Sequence, residues 1–267
     1  MCGVQPIGNI VRVMNAQPTA EYEPLRFKNP PIVEAVIGVS IAPLPEGALV
    51  TLKSVATGFS AAGYKEPLPI KLTNFQMMAM VQGESQASVR DSPHGWQIDS
   101  ADGLYRGKFQ RDGFLFSQLG RYVSWELFRG EAHRLWTQYA SAIGDHRVTE
   151  FGVRYINKVF VPEDAHLNEY LTCYPILPPG LPPSILESFM RLVMPIENPD
   201  GKVTHQHILV GPEKPGFATV ILDNDFRFQA SGLSDDQLWT QIDAVRRVKD
   251  EFFRKLVTDT MRKTFDD

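Results

Sequence analysis

With only two cysteines in 267 residues, Cys2 and Cys173, the chain has too few thiols for a disulfide framework or a cysteine metal site. A reducing cytoplasm is the simplest setting. It lacks an apolar run of the ~18 residues that a membrane helix needs, and it lacks the basic stretch and apolar core of a secretory signal. Positive charge is not in excess. Lys and Arg total 27 against 31 Asp and Glu, a net charge of −4. The densest basic cluster, Arg246, Arg247 and Lys249, shares its segment with Asp243, Asp250 and Glu251. No extended phosphate-tracking surface is expected, so nucleic acid is not an expected partner. The glycine-rich phosphate loops, the G-x-S-x-G elbow, H-E-x-x-H and C-x-x-C are all missing. Dinucleotide, P-loop, hydrolase-elbow and zinc chemistries therefore lack support, and no cofactor is expected.

The chain has an ordinary soluble composition, 43% hydrophobic and 22% charged, enough to bury a core. Residues 1–22, with a weak strand-like patch at Ile10 to Met14, read as a mobile leader. After Pro30-Pro31, the β-branched run Ile32 to Ile41 reads as the first core strand. Leu49, Leu52, Val55 and Phe59 recur at helical spacing within Glu46 to Phe59. Ile70 to Gln82 reads as a strand. Gly95 to Ser100, Leu104 to Gln110 and Phe114 to Leu119 read as a meander, because Asp102-Gly103 and Asp112-Gly113 supply turn residues between them. A helix with one apolar stripe is predicted over Ser124 to Ile143.

The run Val148 to Phe160, VTEFGVRYINKVF, reads as a strand of mixed polarity. A short helix is placed around Ala165 to Leu171 in a proline-rich stretch. Strands follow at Ile185 to Ile196, Val203 to Val210 and Phe217 to Asp223, with a turn at Asn198 to Gly201. The chain closes on one long helix, Ser234 to Phe265, opened by a Ser234/Gln237 capping box and striped by Leu238, Ile242, Val245, Val248, Phe252, Leu256 and Met261.

The order strand, crossover, meander, amphipathic helix occurs twice. The expected fold class is therefore α+β: a duplicated strand-helix-meander-helix unit, with antiparallel sheets each covered by a long amphipathic helix. Its halves span residues 23–146 and 147–267 in one compact domain, and they meet through Ile32 to Ile41 and Val148 to Phe160.

The ordered segments NPPIVEAVIGVSI, SADGLYRGKFQRDGFLFSQL, WELFRGEAHRLW, VTEFGVRYINKVFVP and KDEFFRKLVTDTMRKTF resemble a sporadically distributed, functionally uncharacterised family of bacterial proteins of similar length. The resemblance runs from Pro30 to Phe265. It implies that the chain is one coherent unit, and a patchy distribution suggests genes that travel with mobile or defence loci. It implies no catalytic residue.

Candidate sites rest on charged residues in apolar strands, since burying a charge is costly unless it is paired or used. In Val148 to Phe160, Arg154 and Lys158 share one face and could meet an anion, whereas Asn157 lies on the other. Glu34 in the first strand is the expected counter-ion of Arg154, or else a general acid or base. Arg106, Lys108 and Arg191 are further anion contacts if the sheets curl together. His205 and His207 share a strand face and could bind a metal only if a third ligand arrived, for example Asp223 or Asp225; otherwise that acidic pair reads as turn chemistry. The expected function is non-enzymatic recognition of a protein or an anionic small molecule on a sheet face. The alternative is an enzyme built on Glu34 and Arg154 or on His205 and His207.

Overall fold

The structure is a computed structural model that describes residues 22–79, 85–182, 184–197 and 199–266. All but the last residue of the expected leader, with the Ile10 to Met14 patch and Cys2, therefore lies outside the described residues. So do Met80 to Gln82 and Asn198.

Each half opens with a strand whose alternate residues are apolar and closes with a capped helix. The first half contains β1 (Ile32–Ile41), α1 (Ala48–Gly58), β2 (Leu68–Ala79), β3 (Ser85–Asp99), β4 (Tyr105–Gln110), β5 (Gly113–Leu119) and α2 (Trp125–Ile143). The second contains β6 (Val148–Pro162), α3 (Leu167–Tyr170), β7 (Ser188–Glu197), β8 (Asp200–Lys214), β9 (Phe217–Gln229), α4 (Asp235–Leu256) and α5 (Asp259–Lys263).

Among the described residues, these strands form one antiparallel sheet of nine, in the order β2-β3-β4-β5-β1-β6-β9-β8-β7. This overturns the expected duplicated unit with separate helix-covered sheets. The physical reason is the position of β1, which bonds to β5 on one side and to β6 on the other and makes the ladder continuous. Residues of α1, α2 and α4 share a single apolar cluster with residues of β1, β6 and β9.

Parity along the strands sorts the side chains. Ala35, Ile37 and Val39 of β1, Phe151, Val153 and Tyr155 of β6, and Phe226 and Phe228 of β9 are buried beneath the helices. The intervening residues face away from the helices. A second apolar cluster continues under the end of α4 and includes Val159, Leu222, Phe253, Leu256, Met261 and Phe265.

Local chemistry explains most boundaries. At the β3–β4 turn the Asp102 carboxylate accepts from Ser100 Oγ at 2.6 Å and from the Leu104 amide at 3.0 Å, while Gly103 takes φ 75°. Ser124 caps α2, accepting from the Leu127 amide, and the Ser234/Gln237 capping box opens α4. The closing helix is not continuous. Val257 turns extended and pairs with Leu171, and Thr258 donates to the Glu169 carbonyl while capping α5. Two adjacent β-branched residues, each with a tertiary partner, stop the helix there.

Strand β9 runs on to Gln229 through the Asp-Asn-Asp segment expected to turn. The carboxylates of Asp223 and Asp225 are balanced by arginines on the sheet, so the segment stays extended.

In the middle of the sheet Gly38 and Gly152 stand opposite each other. A Cβ on Gly152 would lie 2.4 Å from the Phe226 carbonyl oxygen and 2.7 Å from Arg227 Cδ, because Arg227 lies across the glycine to reach Glu150. Gly152→Ala is expected to cost about 2 kcal/mol or more. Gly211→Ala, at a position with open space around it, is the matched control and should stay near neutral in chemical denaturation.

Candidate functional site

Four basic side chains on the face without helices are paired with carboxylates. Arg154 Nε and Nη2 donate to both carboxylate oxygens of Asp223 at 2.8 and 2.6 Å, and Gln206 donates to the same group at 3.2 Å. Arg106 donates to Asp99 at 2.7 Å, Lys158 to Glu213 at 2.6 Å, and Arg227 to Asp225 at 2.8 Å.

Glu34 is not the hydrogen-bonded partner of Arg154. It stands opposite Ile156, after a register shift between Ile32 and Glu34, and among the described residues no hydrogen bond or ion pair reaches its carboxylate. Asp223 wins because it offers the guanidinium a bidentate geometry on the neighbouring strand. Glu34 acts on Arg154 and Arg106 only through space.

The expected basic surface does not converge either. Arg106, Lys108, Arg154 and Arg191 all fall on this face by register. However, β4 and β7 each lie three strand spacings from β6, about 14 Å. Of the four, Arg106 and Arg154 are paired, and Arg191 is exposed at the sheet edge.

His205 and His207 are fully buried on the opposite face, beneath the helices. Asp223 and Asp225 point the other way, so strand parity prevents either from completing a metal site with the histidines. Among the described residues no group of three metal-ligating side chains occurs. His205 Nδ1 bonds Asn224 Oδ1 at 2.7 Å, whereas among the described residues neither ring nitrogen of His207 has a hydrogen-bond partner. Burial pushes both imidazoles below their ordinary pKa of 6.5, so the folded state holds them neutral.

The concave site lies on the helix-covered side, under the N-terminal half of α2 and the second half of α4. It is a cavity of about 390 Å³. Its apolar lining includes Leu25, Phe27, Pro31, Ile32, Phe226 and Phe253, and its polar lining includes Tyr122, Tyr155, Asn157, Asn224, Lys249 and Asp250.

Asn157 and Asn224 are almost fully buried on the cavity wall, and each uses one end of its amide. Asn157 Nδ2 donates to the Leu222 carbonyl at 3.2 Å, and Asn224 Oδ1 accepts from His205. Among the described residues the other amide atoms, Asn157 Oδ1 and Asn224 Nδ2, take part in no hydrogen bond, though neither is so deeply buried as the ring nitrogens of His207. The Tyr122 and Tyr155 hydroxyls lie 3.3 Å apart, so one of their two protons is spare. Burial raises both phenol pKa values, which keeps them as neutral donors.

Lys249 projects from α4 with its side chain only 12% exposed. Its ammonium lies 2.5 Å from Asp250 Oδ1 and 4.4 Å from the Tyr155 ring centroid. Burial pulls the lysine pKa down, and Asp250 pulls it partly back. Asp250 Oδ2 in turn accepts from Tyr22 Oη at 2.9 Å and from the Leu25 amide at 3.2 Å, which ties residues 22–27 across the cavity. Arg246, paired with Glu126 at 2.8 Å, stands at the rim. The lining carries three basic side chains, Arg26, Arg246 and Lys249, against two acidic ones, Glu126 and Asp250.

Of the sequence candidates, only Asn157 belongs to this cavity; Glu34, Arg154, Lys158, Arg191, Arg106 and Lys108 lie across the sheet from it. The cavity's other polar groups were visible only as interruptions. Asn224 interrupts the inward series Val220, Leu222, Phe226 and Phe228, and Lys249 follows Leu238, Ile242 and Val245 at helical spacing where an apolar residue is expected.

Two outcomes test this geometry. In double-mutant cycles read by denaturation, Arg154→Met and Asp223→Asn should couple by about 1 kcal/mol or more, while Arg154→Met and Glu34→Gln should couple by less than about 0.5 kcal/mol. The buried histidines bind fewer protons folded than unfolded, so stability falls as pH drops below about 6.5, by up to ~1.4 kcal/mol per pH unit and group. His207→Leu should retain stability at pH 7.5 and lose less of it at pH 5.5 than the parent chain, as measured by thermal unfolding.

Neither protein-family models nor curated proteins gave a match to this chain, so the cavity's chemistry must be taken from its own residues.

Proposed function

We propose that this chain is a non-enzymatic binding module for a small amphipathic molecule with an anionic or carbonyl head group, held in the cavity between α2, α4 and the sheet. The observation that carries the reading is the pair of buried asparagines with unused amide groups on the wall of a largely apolar cavity. Buried polar groups are ordinarily satisfied, and groups left open at a cavity wall are those a ligand would pair. Asn224 Nδ2, one tyrosine hydroxyl and Lys249 supply donors, Asn157 Oδ1 an acceptor, and the basic surplus of the lining favours a negative head group. The volume suits an occupant of modest size, with its apolar part against Phe226, Phe253 and Ile32.

The family resemblance belongs to this reading as a frame for the whole chain rather than as a source of chemistry. Among the described residues no helix is long and apolar enough to cross a membrane. We place the protein in the cytoplasm on its low cysteine content.

The aryl sulfonate 1-anilinonaphthalene-8-sulfonate is a suitable probe, since it joins an apolar body to an anion. It should bind saturably at one site with a dissociation constant of roughly tens of micromolar, as about −0.3 kcal/mol per non-hydrogen atom allows. Ile32→Trp, which fills the cavity, and Val123→Trp, at its exposed rim, should each weaken binding about tenfold or more while the protein remains folded by circular dichroism. Non-saturable binding, or affinity unchanged in both folded variants, would overturn the assignment.

A further inference from the structure

The setting of Lys249 exceeds what a structural ion pair needs. A lysine that only fixed the helix against the sheet would be enclosed by its partners, whereas this one lines the cavity with its ammonium over the Tyr155 ring. Asp250, its one carboxylate contact among the described residues, spends its second oxygen on Tyr22 and the Leu25 amide. Arg246, on the same wall, adds a second positive charge that disfavours the ammonium. A desolvated lysine beside another cation is the arrangement that frees an amine to act as a nucleophile. The donors needed to hold a carbonyl oxygen, a tyrosine hydroxyl and Asn224 Nδ2, line the same cavity, with Tyr155 and Asn224 opposite each other on β6 and β9.

We propose that Lys249 forms a reversible imine with an aldehyde or ketone ligand in the cavity, a step that rests on the cavity being a ligand site. The ammonium first gives one proton to the Asp250 carboxylate. The freed nitrogen lone pair bonds to the carbonyl carbon, the C=O π electrons move to oxygen, and oxygen takes that proton back from Asp250. The nitrogen of this carbinolamine then loses a second proton by way of Asp250 to the hydroxyl, which departs as water as the C=N bond forms. The third proton stays on the iminium, whose counter-ion is the Asp250 carboxylate. One ammonium and one carbonyl thus give one iminium and one water, without oxidant or reductant. Arginine at this position could keep the positive charge but not make the bond.

The test uses the full chain with benzaldehyde as the ligand and sodium cyanoborohydride to trap the imine, followed by peptide mapping. Lys249 should be benzylated about tenfold or more faster than the other lysines, as expected for a desolvated amine beside another cation. Saturating 1-anilinonaphthalene-8-sulfonate should suppress labelling at Lys249 and nowhere else. Lys249→Arg should lose the adduct, and the map of the parent chain decides the matter whether or not that variant folds. Labelling spread evenly over the lysines, or an unlabelled Lys249, overturns the imine. If the sulfonate still binds saturably in that case, the cavity assignment stands; if binding fails as well, both readings fall.

Discussion

The ladder between β1 and β6 joins the two halves of the chain, and everything else is placed relative to it. Because β1 is bonded on both edges, its alternation of Ala35, Ile37 and Val39 with Glu34, Val36 and Gly38 extends sideways into every neighbouring strand. One face must bury and the other must pair its charges. Asp223 and Asn224 are adjacent in sequence, yet one holds an arginine on the helix-free face and the other lines a cavity beneath α4. Shifting this register by one residue would exchange those roles along the whole strand.

The two faces solve the problem of polar groups in different ways. On the helix-free side Arg106, Arg154 and Arg227 each bridge to a carboxylate on the same or an adjacent strand, an arrangement that needs no outside partner. On the helix-covered side water is scarce and the polar groups are fewer, so an unmet amide or a buried amine has a larger energetic consequence. The aromatic packing around Phe128, Tyr122 and Tyr155 keeps the two hydroxyls in fixed positions on the cavity lining.

Much of the strand layout was legible in the sequence, because β-branched runs and turn residues are local signals. Strand β1 has the bounds read from its composition, and α2 begins at the serine that caps it. What misled was also local. The Asp-Asn-Asp segment has the composition of a turn, but Arg154 and Arg227 hold it extended, and neither lies nearby in sequence. The break at Val257 depends on Leu171 and Glu169, again remote. A repeated element order suggested two sheets, although nothing in a strand's own residues tells whether its outer edge is free or paired. Glu34 seemed the natural partner for Arg154 because neighbouring strands were the only proximity available to sequence reasoning. Lys249 was overlooked because a lysine on an amphipathic helix ordinarily belongs to its wet side.

Residues 22–31 lie across α4 like a strap. Arg254 donates to the Glu23 carbonyl at 2.8 Å, the Asn29 amide donates to the Phe265 carbonyl at 2.8 Å, and Phe27 meets Phe265 edge to face. The strap's innermost fastening is Asp250, the same carboxylate that balances Lys249. Lifting the strap would strip Asp250 of two donors while leaving its bond to the lysine. One carboxylate thus couples the docking of residues 22–25 to the electrostatics of a buried amine.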